Sequence, residues 1–170
     1  MSPLTVDALI KMCATCGRQI SWRKKWEKNW ASVTYCSDSC RKHKVRPKPH
    51  SLDLSFESKI LSLLSERRAV QGPAAVVTCE EAEEETLQER KWRVAEDHNH
   101  TGPAGDSRNS LDHVPGHVQA QAHAQPPSKT RERCRQAARR LAARGDIVIT
   151  QNGKVVEPSF AKGVMELKFP

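Results

Sequence analysis

The chain has few aromatic residues and no long hydrophobic run. Aromatics make up 5% of the 170 residues, with a single tyrosine, and hydrophobic residues make up 37%. That composition argues against one large continuous core and favours one or two small domains. No apolar stretch approaches the ~20 residues needed to cross a bilayer, so no membrane partner is expected. The first ten residues lack a basic flank followed by a long apolar segment, so a secretory leader is not expected either. There is no phosphate-cradling glycine loop, no Ser/His/Asp grouping and no paired-carboxylate pocket, so the expectation is a protein that is not an enzyme and has no evident small-molecule substrate.

Cysteine, by contrast, is present six times. Four of the six form Cys13-Ala-Thr-Cys16, nineteen residues, then Cys36-Ser-Asp-Ser-Cys40. Two short pairs separated by a spacer suit one tetrahedral Zn2+, each pair converging on the ion from a single turn. The expected cofactor is one structural zinc held by Cys13, Cys16, Cys36 and Cys40. With no export signal, these residues read as thiols and ligands rather than disulfides, which places the protein in an intracellular, reducing compartment: nucleus, cytoplasm or an organelle. A dithiol redox role for Cys13-x-x-Cys16 would need a βαβ setting, and a second cysteine pair stands ready to close a metal shell instead.

Charge is distributed unevenly. Residues 1–50 hold eleven Lys and Arg against Asp7, Glu27 and Asp38, an excess of eight that equals the net charge of the whole chain. Residues 51–170 hold seventeen of each sign. A cationic end suggests a polyanionic partner, most simply DNA or RNA, with Arg23, Lys24, Lys25, Lys28, Arg41 and Lys42 contacting phosphates. The competing explanation is a solubilising surface and counter-charge for a zinc–tetrathiolate centre. Trp22, Trp26 and Trp30 recur every four residues among these cations. They suit a base-stacking platform, or else the small apolar cover of the metal site, which the scarcity of other apolar residues favours for at least two of them.

Residues 11–46 therefore read as a small treble-clef-like zinc ribbon. Cys16-Gly17 suits a knuckle turn, residues 18–22 and 32–35 read as two strands of a hairpin, and Ser37 and Asp38 can cap a helix through Arg41, Lys42 and His43, with Cys40 in its first turn. His43 and His50 are surplus to a four-cysteine shell. Residues 47–54, basic and broken by prolines, form a linker.

A second domain is expected over residues 55–96 and 128–169. Phe56, Ile60, Leu63 and Leu64 share a helical stripe, and Thr78-Cys79-Glu80-Glu81 is a capping box opening an acidic helix. Residues 97–127, rich in Gly, Pro and His, read as a disordered insertion whose histidines lack a scaffold for a metal site. In the third helix Cys134, Ala137, Ala138 and Leu141 form one face, with Cys134 and Cys79 expected to be buried. Arg131, Arg133, Arg135, Arg139, Arg140 and Arg144 cover the rest. Asn152-Gly153 sits between two β-rich runs as a hairpin turn, and residues 164–169 supply a further strand. The sum is an α+β protein: a zinc ribbon followed by a winged-helix-like domain. In such a domain Arg135, Arg139 and Arg140 would meet nucleic acid, unless the arginines pair with the acidic helix.

Two resemblances accompany these patterns. Cys13-Ala-Thr-Cys16-Gly-Arg, Trp22-Arg-Lys-Lys-Trp26-Glu and Tyr35-Cys36-Ser-Asp-Ser-Cys40-Arg41 resemble the zinc-ribbon family known as domain of unknown function 2256, which implies a zinc site on the four cysteines. Ile60-Leu-Ser-Leu-Leu64, Trp92-Arg93, Arg135-Gln-Ala-Ala-Arg139-Arg-Leu-Ala and Gly145-Asp-Ile-Val-Ile-Thr150-Gln-Asn-Gly-Lys-Val-Val156, over residues 55–96 and 128–169, resemble domain of unknown function 3253, a winged-helix family. The chain departs from the second pattern in its Glu-rich second helix and its long insertion. Beside a nucleic-acid partner stands a protein partner, for which the zinc ribbon would be an adaptor's docking platform.

Overall fold

A computed structural model describes residues 9–46, 48, 51–99 and 129–170. The insertion expected at 97–127 lies outside the described residues except for its first three, which belong to a helix. Parts of the linker also lie outside them.

The N-terminal module is organised by its cysteines. Strand β1 (Ile10–Met12) pairs antiparallel with β2 (Gln19–Ser21), Met12 opposite Gln19. Cys13 to Gly17 is the turn between them. Gly17 adopts φ 68°, a left-handed conformation that a side chain disfavours, and its N–H donates to the Cys13 carbonyl at 2.9 Å. Residues 19–21 thus form a strand, but the expected partner at 32–35 does not. The spacer is taken up by two 3₁₀ turns, Lys24–Trp26 and Trp30–Ser32, which bring Trp26 and Trp30 against the cysteine cluster in place of a ladder. The second cysteine pair is brought to the first by one backbone bond, Ala14 N–H to the Thr34 carbonyl at 3.1 Å. Helix α1 (Asp38–Lys42) follows, its Cys40 N–H capped by the Ser37 hydroxyl at 3.2 Å.

The rest of the chain builds a conventional apolar core. Helix α2 (Leu52–Gln71) buries Phe56, Ile60 and Leu64 at the expected spacing. Strand β3 (Val77–Thr78) leads into α3 (Cys79–Asn99) through the capping box. Glu81 N–H donates to the Thr78 hydroxyl, and Thr78 N–H donates back to the Glu81 carboxylate. Helix α4 (Lys129–Arg144) buries Cys134, Ala137, Ala138 and Leu141. Strands β4 (Val148–Gln151) and β5 (Lys154–Val155) form the hairpin, with Asn152 and Gly153 at φ 52° and 74°, both positive as a type I′ turn requires. Strand β6 (Glu166–Lys168) completes an antiparallel sheet of order β3-β6-β4-β5, in which Leu167 lies opposite both Val77 and Ile149. The architecture is mixed α and β, and the N-terminal cysteine cluster is compatible with a small zinc ribbon.

The two parts touch through the knuckle. A Cβ at Gly17 would lie 2.6 Å from the Arg139 carbonyl carbon and 2.7 Å from the Arg140 nitrogen, so the turn rests directly on the α4 backbone. The Arg140 guanidinium donates to the Thr15 carbonyl at 2.6 Å, and Gln19 N–H donates to the Ser159 hydroxyl at 2.8 Å. No helix among the described residues is long and apolar enough to cross a membrane.

Candidate metal centre and the cationic face around it

The side chains of Cys13, Cys16, Cys36 and Cys40 converge, their sulfurs all within 4.8 Å of one another. Cys16 and Cys36 Sγ are 3.6 Å apart, and Cys36 and Cys40 Sγ 3.5 Å. Four sulfurs placed tetrahedrally at ~2.3 Å from a metal are roughly 3.8 Å apart, so the cluster already has coordination dimensions. Backbone groups brace it. Cys36 N–H points at Cys13 Sγ from 3.4 Å, and the Thr15 hydroxyl donates to the Cys40 carbonyl at 2.8 Å, tying the first pair to the second. As thiols these groups share protons unequally. A hydrogen bond from Cys16 lowers Cys13 to about 4, while the same bond raises Cys16, and burial raises Cys36. A group of thiols already biased to hold a thiolate is suited to a metal ion. Four protein ligands fill a tetrahedral shell and leave no open position for substrate, which is the pattern of a structural centre.

The apolar cover of this centre is thin. Cys13, Cys16 and Ile20 are buried, with Trp26, Trp30, Val33 and Tyr35 packed against them. Trp26 and Trp30 stack at 5.9 Å between centroids and 23° between planes. Two of the three tryptophans therefore contribute to the core. Trp22 is half-buried beside them in the chain without joining this cluster.

Cations surround the indoles. Arg23, Lys24, Lys25, Lys28, Arg41 and Lys42 are exposed. Lys25 Nζ lies 4.9 Å and Arg23 Cζ 5.9 Å from the Trp26 ring centre, and Arg41 pairs with Asp38 one turn back. The sequence reading missed two members of this face. Lys11 donates to the Trp30 and Ala31 carbonyls at 2.6 and 2.9 Å and lies over the Trp30 ring, and Lys44 lies 5.5 Å over Tyr35. Their placement next to Cys13 and the α1 end was the available signal. His43 is exposed and bonds to the Ser39 carbonyl, outside the metal cluster.

The expected exposed arginine arc on α4 needs correction. Arg139 is 1% exposed, with its Nε donating to the Pro158 carbonyl at 3.2 Å and Nη1 to Glu132 at 3.1 Å. Arg140 is buried on Glu57 at 2.6 Å and on the knuckle carbonyl. Arg135 reaches the Met165 sulfur and the Ala161 carbonyl. Arg133 grips Asp53 with two bonds of 2.9 and 2.7 Å, Arg131 pairs with Glu83, and Arg144 with Glu57 and Asp146. Pairing with the acidic helix, the alternative that the sequence offers, is seen for Arg131 with Glu83, while α2 supplies Asp53 and Glu57 to Arg133, Arg140 and Arg144. The reason is geometric. The apolar stripe of α4 is narrow, yet α2, α3, the sheet and the knuckle all pack around it, so flanking arginines are covered and need acidic or carbonyl partners.

Cys79 and Cys134 are both buried, and Cys134 Sγ donates to the Cys79 carbonyl at 3.4 Å. Its hydrogen bonding with Cys79, together with burial, pushes the Cys134 thiol up, as expected of structural rather than reactive cysteines.

No curated protein and no solved structure matches the chain. Two family models match parts of it, in the order its two modules occur: residues 8–43 are similar to the family described as "Uncharacterized protein conserved in bacteria (DUF2256)", and residues 120–170 to the family described as "Protein of unknown function (DUF3253)".

Proposed function

We propose that the four cysteines hold one structural Zn2+ and that the protein is a non-enzymatic nucleic-acid-binding protein whose contact surface is the zinc module. The observation carrying this reading is the placement of charge. The net excess lies within residues 1–50, and Arg23, Lys24, Lys25, Lys28, Arg41 and Lys42 stand exposed around stacked indoles. Zinc suits four thiolates in a tetrahedral shell at this spacing. In this reading the second domain is a degenerate winged helix acting as scaffold, since Arg139 and Arg140 are engaged internally, and the thiols require a reducing compartment. The test is binding of a labelled oligonucleotide across a salt series. Neutralising about six phosphates should give a log–log slope near −4 for a single strand, and a salt-independent affinity overturns the proposal.

A second reading, a protein-interaction adaptor with the zinc ribbon as docking platform, is favoured by the same exposed cations of that module, which an acidic protein surface would also meet. Equal, salt-sensitive binding to polyglutamate and to nucleic acid would select this reading.

A further inference from the structure

A cavity of about 320 Å3 opens on the zinc module, with Lys25, Trp26, Asn29, Tyr35, Asp38 and Arg41 in its lining. Its size is at the lower end for small-ligand pockets, ~300–1,000 Å3. We infer that it accepts one unstacked base of a single-stranded nucleic acid, with Trp26 and Tyr35 as stacking surfaces and Lys25, Arg41 and Lys44 meeting the adjoining phosphates. This inference rests on the nucleic-acid reading above and narrows its ligand.

Three observations support it. The lining pairs two aromatic side chains with cations, the combination by which single-strand binders hold π-faces and phosphates together. The tryptophan pair packs against the cluster of Cys13, Cys16 and Ile20, while Lys25 lies over the Trp26 ring and Lys44 over Tyr35. A flexible lysine over a ring marks a π-face that a base can take, releasing the ammonium to a phosphate. Finally, groove reading of a duplex needs an exposed helix or ribbon. Within the described zinc module, α1 has five residues and strands β1 and β2 three each, too short for that task. A duplex would offer the zinc module phosphates alone, leaving the aromatic cavity unused.

The test uses the full zinc-loaded chain and three labelled probes: an oligothymidine of about twelve nucleotides, the same backbone with abasic sites throughout, and a duplex of that length. Oligothymidine should bind about tenfold or more tightly than the abasic strand and quench tryptophan fluorescence. Trp26→Phe or Tyr35→Leu, each checked for one zinc per chain, should narrow that gap while leaving the salt slope unchanged. Equal affinity for oligothymidine and abasic strand overturns the base pocket but leaves the phosphate reading standing. Tighter binding to duplex than to single strand, or a gap that neither variant narrows, overturns the pocket as well. Failure of all three probes to bind at low salt overturns both readings.

Discussion

The Arg140 guanidinium holds the Thr15 carbonyl of the cysteine knuckle at 2.6 Å while its Nε holds Glu57 of α2 at the same distance. One buried cation therefore connects the metal-binding turn, α4 and α2. Removing it with Arg140→Ala leaves the Glu57 carboxylate and the knuckle carbonyl without this partner. Losing one partner of a buried pair costs ~3–5 kcal/mol, and the lower end applies because Arg144 also holds Glu57. At ~2–4 °C per kcal/mol, a fall in melting temperature of roughly 6–12 °C is expected by circular dichroism. Replacing both charges, Arg140→Met with Glu57→Met, should recover much of it.

The knuckle contact makes a second prediction at Gly17. Alanine there would combine left-handed strain with a Cβ 2.6 Å from the α4 backbone, whereas at Gly153 (φ 74°) the space is open. Positive φ alone costs ~1–2 kcal/mol. Gly17→Ala should lower the melting temperature clearly more than Gly153→Ala, and limited proteolysis should show the two modules separating. Equal effects would refute the close packing.

Metal removal should be felt beyond the cysteines. The N-terminal module buries only Cys13, Thr15, Cys16, Gly17 and Ile20 among its described residues, too little to fold without a metal. Chelation or Cys36→Ser should abolish its order and, by freeing the Thr15 carbonyl from Arg140, lower the melting point of the helical domain as well. Thermal melts with and without chelator, alongside metal content by mass spectrometry, check this. An unchanged melt after complete metal loss would refute it.

Acid should weaken the helical domain through two carboxylates. Burial works to raise Asp53, and the hydrogen bonds and charge of Arg133 overcome it, so the folded value lies below the ordinary one. The Arg67 hydrogen bonds likewise lower Glu81. A depressed folded value means that the unfolded chain binds the proton more readily. These pairs therefore stabilise fully above the unfolded value near ~4, and the contribution is lost as pH falls through the folded value. Urea midpoints should drop below about pH 4, and less steeply for Asp53→Asn and Glu81→Gln than for wild type. Identical slopes would count against this account.

Local rules carried the sequence reading where the interaction was local. The Thr78–Glu81 capping box, the Phe56/Ile60/Leu64 stripe, the Asn152-Gly153 turn and each short cysteine pair depend on residues a few positions apart, so their physics is written in the chain. The α4 arginines were not decided that way. An arginine flanking an apolar stripe is exposed or buried according to what packs beside it, and here α2 and the knuckle do. Their contacts with Arg140 join positions 83 and 125 residues apart. The strand expected at 32–35 failed for a related reason, because stacking of Trp26 on Trp30 closes the spacer into turns. Sequence alone determined which four sulfurs converge and where the positive charge lies. Only tertiary packing decided which cations remain free to meet a partner, because that depends on neighbours the chain supplies from far away.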